Sequence, residues 1–421
     1  MKNPKKNPKT LAIVLGALVL LVVGFLFFRS PKPIIEIKAE TITEFGPFPL
    51  VNTYVTSITV VLVLIIVAFL ATRKINLIPT GLQNVVEAVM EAMYNICIST
   101  AGEKNGRRFF PVIMTIFTFI WIANWMALLP FFNAIGKVQE VSAHHFHEEA
   151  AVFADTAGIS MIMPNQKEIE FEVDESEVDL IAEEITAAKA HGASAEEIEK
   201  LTKEKEDALV HARERAIEVA LPKAAGIKVD TAECKTLLGE KKTECEDELK
   251  LAHTDDAVDK LAADGKRLGI LIPYFRSMNT DINSPLSIAI MAMIFIEFWG
   301  ITTLGVFKYA AKFFNVSSPI AFFVGILEFI AELARIISFT FRLFGNMLAG
   351  EILLLVMTFL MPFLVALPFY GLETFVGIIQ AFVFAMLTLV FAVLAVSSHD
   401  DHGEHEEEHG EAAHAAPAGA H

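Results

Sequence analysis

Long apolar runs, each closed by a short polar or charged stretch, set the pattern of this chain. Leu11–Phe28, Tyr54–Thr72, Phe110–Phe132, Pro285–Phe307, Pro319–Met361 and Leu372–Val396 are nearly continuous in Val, Ile, Leu, Phe and Ala. At 1.5 Å rise per residue, about 20 such residues cross the hydrocarbon of a bilayer. The pattern predicts an all-α polytopic membrane protein with about five to six spans. The run from Pro319 to Met361 is 43 residues long, too long for an upright crossing. It is steeply tilted, broken, or one arm of a membrane-buried hairpin, and with Leu372–Val396 it supplies the expected two long tilted helices. Thr80–Ser99 differs: Val85, Val86, Val89, Met90 and Met93 recur at helical spacing beside Glu87 and Glu91. That is an amphipathic helix, lying at the interface or connecting two spans.

Polar punctuation orients the spans and divides the chain. Arg73-Lys74, then Lys104, Arg107 and Arg108, then Lys308 and Lys312 mark the cytoplasmic ends by the positive-inside rule. Residues 1–46 read as a signal or anchor with an outer segment; Arg29-Ser-Pro after Phe28 offers no small-x-small cleavage site, which favours an anchor. Residues 47–136 form a first membrane part and 269–397 a second. Between them, 137–268 is a polar insert placed in the periplasm, with helical patterning and a capping box at Ser194-Ala-Glu-Glu197 that opens a helix to about Val219. Residues 398–421 are an acidic, His-rich tail whose composition predicts disorder.

Composition adjusts this outline rather than redrawing it. The 421 residues are 54% hydrophobic with net charge −17, but most of the acid lies in the insert and the tail. No basic stripe interleaved with aromatics speaks for nucleic acid, and no Gly-x-x-x-x-Gly-Lys loop would hold a nucleotide phosphate. Cys97, Cys234 and Cys245 give no zinc-ligand spacing. In an oxidising compartment Cys234 and Cys245 form either a disulfide or two reduced thiols. The triplet His144, His145 and His147 has a solvated cluster as its default reading. No metal or cofactor is expected.

The chemistry sits where the run from Pro319 breaks its own rule. It carries Glu328, Glu332, Arg335, Arg342 and Glu351, although a charge at bilayer depth costs roughly 2.5–3.5 kcal/mol on insertion scales. Glu328, Arg335 and Arg342 are seven apart and Asn346 is one turn further, so the four share a broad helix face. Glu351 falls near the opposite face. Arg335 has Glu328 and Glu332 within reach, whereas Arg342 has no acid three or four residues away. Its partner has to come from another helix or another chain, and an arginine stays charged there. Glu373 and Gln380, also seven apart, make a second polar stripe. Asn124 is a lone membrane amide, suited to bridging helices. Glu297 either lines an ion path or pairs with a basic group. Thr280-Asp-Ile-Asn283 is a polar group at the outer mouth.

At Arg342-Leu-Phe-Gly-Asn-Met-Leu-Ala-Gly-Glu351 the chain resembles the subunit a family of F-type ATP synthases. Glu328, Ser338, Gln380-Ala-Phe, Thr280-Asp-Ile-Asn283 and Asn124 with Leu128-Leu-Pro130 support the resemblance, which covers about 47–136 and 274–396 in order. It implies a stator subunit, without catalysis of its own, that carries protons through two half-channels to and from a c-ring carboxylate. Arg342 would face that carboxylate. Glu351, Glu373 and Gln380, with Asn124, would line the outer route, Glu328 would stand near the inner one, and Asn346 would belong to the half-channels. The implied partners are the c-ring, subunit b and the other synthase subunits, in a bacterial inner (plasma) membrane. Some members carry His where Glu373 stands, and some an acid where Ala127 stands. Whether H⁺ or Na⁺ is the coupling ion depends largely on the rotor's site. Two rivals fare worse. A self-contained transporter predicts inverted repeats, which the two halves lack, and a membrane hydrolase predicts paired carboxylates or His-rich motifs inside spans, against which all twelve histidines lie outside.

Overall fold

A computed structural model describes residues 39–397 apart from 46–47, 143–148, 155–158, 163–167, 192, 232–233, 235–239, 314–318 and 361–365, together with Gly16, Val19 and Val22. The N-terminal apolar run beyond those three residues, the His144, His145 and His147 triplet and the acidic tail lie outside the described residues. Among the described residues, five helices are long and apolar enough to cross a membrane. They confirm an all-α, multi-pass membrane architecture.

A short hairpin, β1 (Thr41–Phe45) with β2 (Phe48–Val51), leads into α1 (Asn52–Thr72). α2 (Leu82–Ala127) is helical on both sides of Gly102, which stands at φ 74° and ψ 167°. The left-handed φ is open to glycine without strain, and there the chain doubles back. Tyr94 meets Phe110 edge-on at 5.2 Å, and a Cβ on Gly106 would sit 2.7 Å from the Cys97 carbonyl oxygen. The amphipathic segment is therefore the short arm of a helical hairpin. It buries Met93 and Cys97 and leaves Val85 and Met90 exposed. α7 (Asn283–Leu304) packs against the last two helices and touches α2 where Phe109 meets Trp299 at 4.4 Å. At Gly305 (φ 85°) the chain turns into α8 (Val306–Phe313).

Within the described residues the long run is one unbroken helix, α9 (Pro319–Leu360). Its 42 residues extend about 63 Å at 1.5 Å each, twice the roughly 30 Å of bilayer hydrocarbon. α10 (Ala366–Val396) returns antiparallel against it. The pairing is regular: Phe339 meets Phe384 at 4.8 Å and Arg335 lies over the Phe391 ring at 4.7 Å. One core unites α2, α7, α9 and α10 through Phe109, Ile113, Ile120, Ile296, Phe339, Leu343, Phe384 and Leu389.

The insert is helical as expected, in α3 (Ser176–Ala190), α4 (Ala195–Ala224), α5 (Glu240–Leu251) and α6 (Thr254–Ala263). It also contains an antiparallel sheet that the Glu/Lys/Ala pattern did not announce. The order is β5 (Ser160–Met161), β3 (Ile135–Glu140), β7 (Lys266–Pro273), β4 (Glu149–Ala154), β6 (Glu168–Glu170). Ala216, Ala220 and Ala224 of α4 pack on Ile169, Phe171 and Leu268. Ser194 caps the helix, Glu197 N donating to Ser194 Oγ at 3.2 Å. α3 opens where Ser176 N donates to Asp174 Oδ1, and Ser176 holds that carboxyl below its ordinary range. α4 continues past Val219 with Pro222 in its last turn. A proline there strands the carbonyl four residues back, and Thr254 Oγ1 donates to that Glu218 oxygen at 3.3 Å. Cys234 and Cys245 are disulfide-bonded.

Candidate functional site

Two ends of the bundle are distinguished by their side chains. At the end away from the insert, Arg108 Nη1 donates to Thr303 Oγ1 at 2.9 Å and Nη2 to Thr302 Oγ1, tying the foot of α2 to the end of α7. At the insert end Thr280 and Asp281 are buried in a polar knot, with Ile282 and Asn283 at its exposed edge. Thr53 Oγ1 donates to Asp281 Oδ2 at 3.3 Å, and Asn283 N and Nδ2 donate to Asp281 Oδ1 at 3.2 and 3.0 Å.

Arg342 lies between these ends, half-buried on α9. Phe339, Leu343, Met347 and Leu354 point into the bundle, whereas Ile330, Ile337 and Phe341 are exposed. Among the described residues the guanidinium contacts Ser338 Oγ at 3.4 Å and has no carboxylate within 4 Å. Arg335 behaves differently, as its spacing anticipated. It bonds Glu332 Oε1 at 2.5 Å and stacks on Phe391. Glu328 stands on the same helix toward the inner end. The Tyr309 hydroxyl lies against Glu297, with Glu332 and Glu328 beyond it.

From Arg342 toward the insert, the predicted polar residues come together across α9 and α10. Asn346 Nδ2 donates to Gln380 Oε1 at 2.6 Å. Glu373 is 9% exposed, and its carboxylate lies on Gly350 so closely that a Cβ there would be 2.2 Å from both oxygens. Asn124 bridges, as a lone membrane amide should: Nδ2 donates to Gly377 O at 3.1 Å and Oδ1 accepts from Asn279 Nδ2 at 2.7 Å. Glu351 points away from this group, to Asn133 Nδ2 at 2.6 Å. Asn133, Asn279, Gly350 and Tyr309 were not singled out from the sequence. Asn133 carried a faint signal, an Asn just past Leu-Leu-Pro, where a left-handed turn is well tolerated.

Four buried polar atoms in these two groups have no partner among the described residues: Gln380 Nε2 and Asn279 Oδ1 in the first, Glu351 Oε2 and Asn133 Oδ1 in the second. Buried polar groups are almost always satisfied, so these four atoms are left to be completed from outside the described residues.

These features define a multi-pass membrane protein organised around an arginine-bearing helical hairpin with polar residues on either side of the arginine. Comparison with known proteins then names the family. The ATP synthase A chain family matches residues 54–162 and 267–393, more than half of the sequence, and the chain belongs to that family. The segment between the two matches is the bulk of the insert. ATP synthase subunit a of Campylobacter curvus is 39% identical over 127 residues, covering 30% of this chain and 56% of that protein. The protein of the same name from Campylobacter hominis is 40% identical over 121 residues, 29% of this chain and 53% of its own. The chain thus spans about half the length of the curated relatives it matches.

Proposed function

We propose that the chain is the stator subunit a of a rotary F-type ATP synthase in a bacterial inner membrane. It forms two half-channels that carry protons to and from a carboxylate on a c-ring, and it is held in place by subunit b and its other neighbours. The observation that carries this reading is Arg342: a permanent charge within the hairpin, open to the uncovered face of α9 and lacking a carboxylate among the described residues. A rotor carboxylate arriving at that face would be favoured in its ionised form beside the guanidinium and would release its proton.

The two sides of Arg342 supply separate routes. Toward the insert run Asn346, Gln380, Glu373 and Glu351, with Asn124 behind them; toward the other end stand Glu328, Glu332 and Glu297. A fixed cation between them opposes a direct leak of protons from one route to the other. Each proton crossing releases about 2.3 kcal/mol per 100 mV, so several crossings per turn suffice to drive a rotor. The disulfide fits an insert on the oxidising side.

Arg342→Ala in the assembled complex is expected to abolish proton-driven ATP synthesis while the complex still assembles, measured in vesicles under an imposed gradient. Normal synthesis by that variant would overturn the reading.

A further inference from the structure

At the insert end of the hairpin one contact joins residues 218 positions apart. Asn133 has φ 57°, in the turn that follows α2. Its main-chain N–H donates to Phe275 O at 3.0 Å, and its side-chain amide donates to Glu351 Oε1 at 2.6 Å. β3 begins two residues later and pairs with β7, so the backbone on both sides of Asn133 is held by other strands and turns. Phe131, Phe132 and Phe275 pack together alongside, with ring centroids 5.4 to 6.0 Å apart.

The contact is incomplete in an informative way. An amide has one acceptor oxygen and a carboxylate has two. Glu351 Oε1 takes the amide hydrogen, which leaves Asn133 Oδ1 and Glu351 Oε2 buried with no donor among the described residues. A water molecule or a hydrated proton satisfies acceptors of this kind, and nothing apolar does. The amide also fixes the carboxylate's orientation. One oxygen is committed to Asn133 and the other is left to receive a proton.

We propose that Asn133 is a positioning residue for proton passage, aiming Glu351 and forming with it the acceptor bay where a proton enters from the insert side. This rests on the half-channel reading of Glu351 given above. It assigns to the turn at the root of the insert a direct part in ion transfer, through an amide that fits because a left-handed backbone accepts Asn.

The test uses N133G, N133D, E351Q and the double variant N133D/E351Q in the intact complex reconstituted in vesicles. Assembly and gradient-driven ATP synthesis are both read. Glycine suits the left-handed backbone, so N133G keeps the turn and removes only the amide. Its rate is expected to fall about tenfold, within the loss of up to about 10²-fold that follows a misplaced reacting group. N133D removes the donor and E351Q removes the acid, so each single variant is slow. The double variant restores a carboxylate–amide pair with the roles exchanged and is expected to run severalfold faster than either single, a coupling that two independent structural losses would not show. A wild-type rate in N133G, or a double variant no faster than the faster single, overturns the proposal. R342A run in parallel separates the two levels. If R342A is inactive and N133G is fully active, only the role of Asn133 falls; if R342A still makes ATP, the half-channel reading falls with it.

Discussion

Gly350→Ala asks how closely the carboxylate of Glu373 must be placed. A Cβ at position 350 would stand 2.2 Å from both carboxylate oxygens of Glu373, where ordinary contact begins near 3.4 Å. The two groups must therefore separate by about 1 Å. The yielding partner is the end of a flexible side chain, not backbone, so α9 and α10 stay paired through Phe339–Phe384 and Asn346–Gln380. Alanine is also the better helix former, by roughly 1 kcal/mol, which protects assembly further. The expected result is a stable complex with a displaced carboxylate. A shift of this size in a group that handles protons costs up to about 10²-fold in rate; with only one of several groups on the route moved, a loss of about tenfold is expected. The assay is gradient-driven ATP synthesis in vesicles, normalised to assembled complex. G350A combined with Glu373→Asp shortens the side chain by one methylene and is expected to recover part of the rate. Full activity in G350A would refute the claim that Glu373 has to occupy this position.

Two further predictions concern the insert. Thr254→Val leaves the Glu218 carbonyl beside Pro222 without its donor and is expected to destabilise the end of α4 by about 1 kcal/mol, read as faster limited proteolysis near Ala224 in the intact complex; an unchanged pattern would show that the bond contributes nothing. Cys234→Ser with Cys245→Ser opens a loop of sequence separation 11, and chain entropy puts the loss at about 3 kcal/mol. The proteolysis midpoint of the insert on heating should fall while ATP synthesis at room temperature is retained, and an unshifted midpoint would count against a stabilising disulfide.

What the sequence made legible followed from short-range periodicity. The seven-residue spacings put Arg335 and Arg342 on one helix and Glu373 with Gln380 on another, and a missing acid near Arg342 set it apart from Arg335. Both features survive in the structure because a helix fixes neighbours three to seven residues apart whatever surrounds it. The Arg335–Glu332 pair was visible for the same reason. The unbroken length of α9 was not decided by composition, since a tilted helix and a broken one share the same apolar count. The contacts Asn133–Glu351, Asn124–Asn279 and Glu373–Gly350 depend on how distant segments meet, and no periodicity encodes that. The sheet stayed hidden because β5 and β6 are two and three residues long, too short for an alternating pattern to register, and because β3 and β7 flank a region dominated by helix-forming residues.

The pairing of β3 with β7 has a consequence for how the membrane bundle experiences its large appendage. Gly136 lies opposite Pro273 and Glu140 opposite Gly269, so the chain leaves for the insert and comes back along adjacent, hydrogen-bonded tracks. To the helices below, everything beyond Glu140 and Gly269 is equivalent to the tip of a β-hairpin. The distance between the two attachment points is set by the ladder and not by whatever hangs from it. Closing a longer loop over the same two points adds only about 0.6 kcal/mol per doubling of its length. The size of the appendage is thereby decoupled from the spacing of α2 and α7, and the appendage can grow, shrink or be exchanged while Arg342 and its neighbours keep their places.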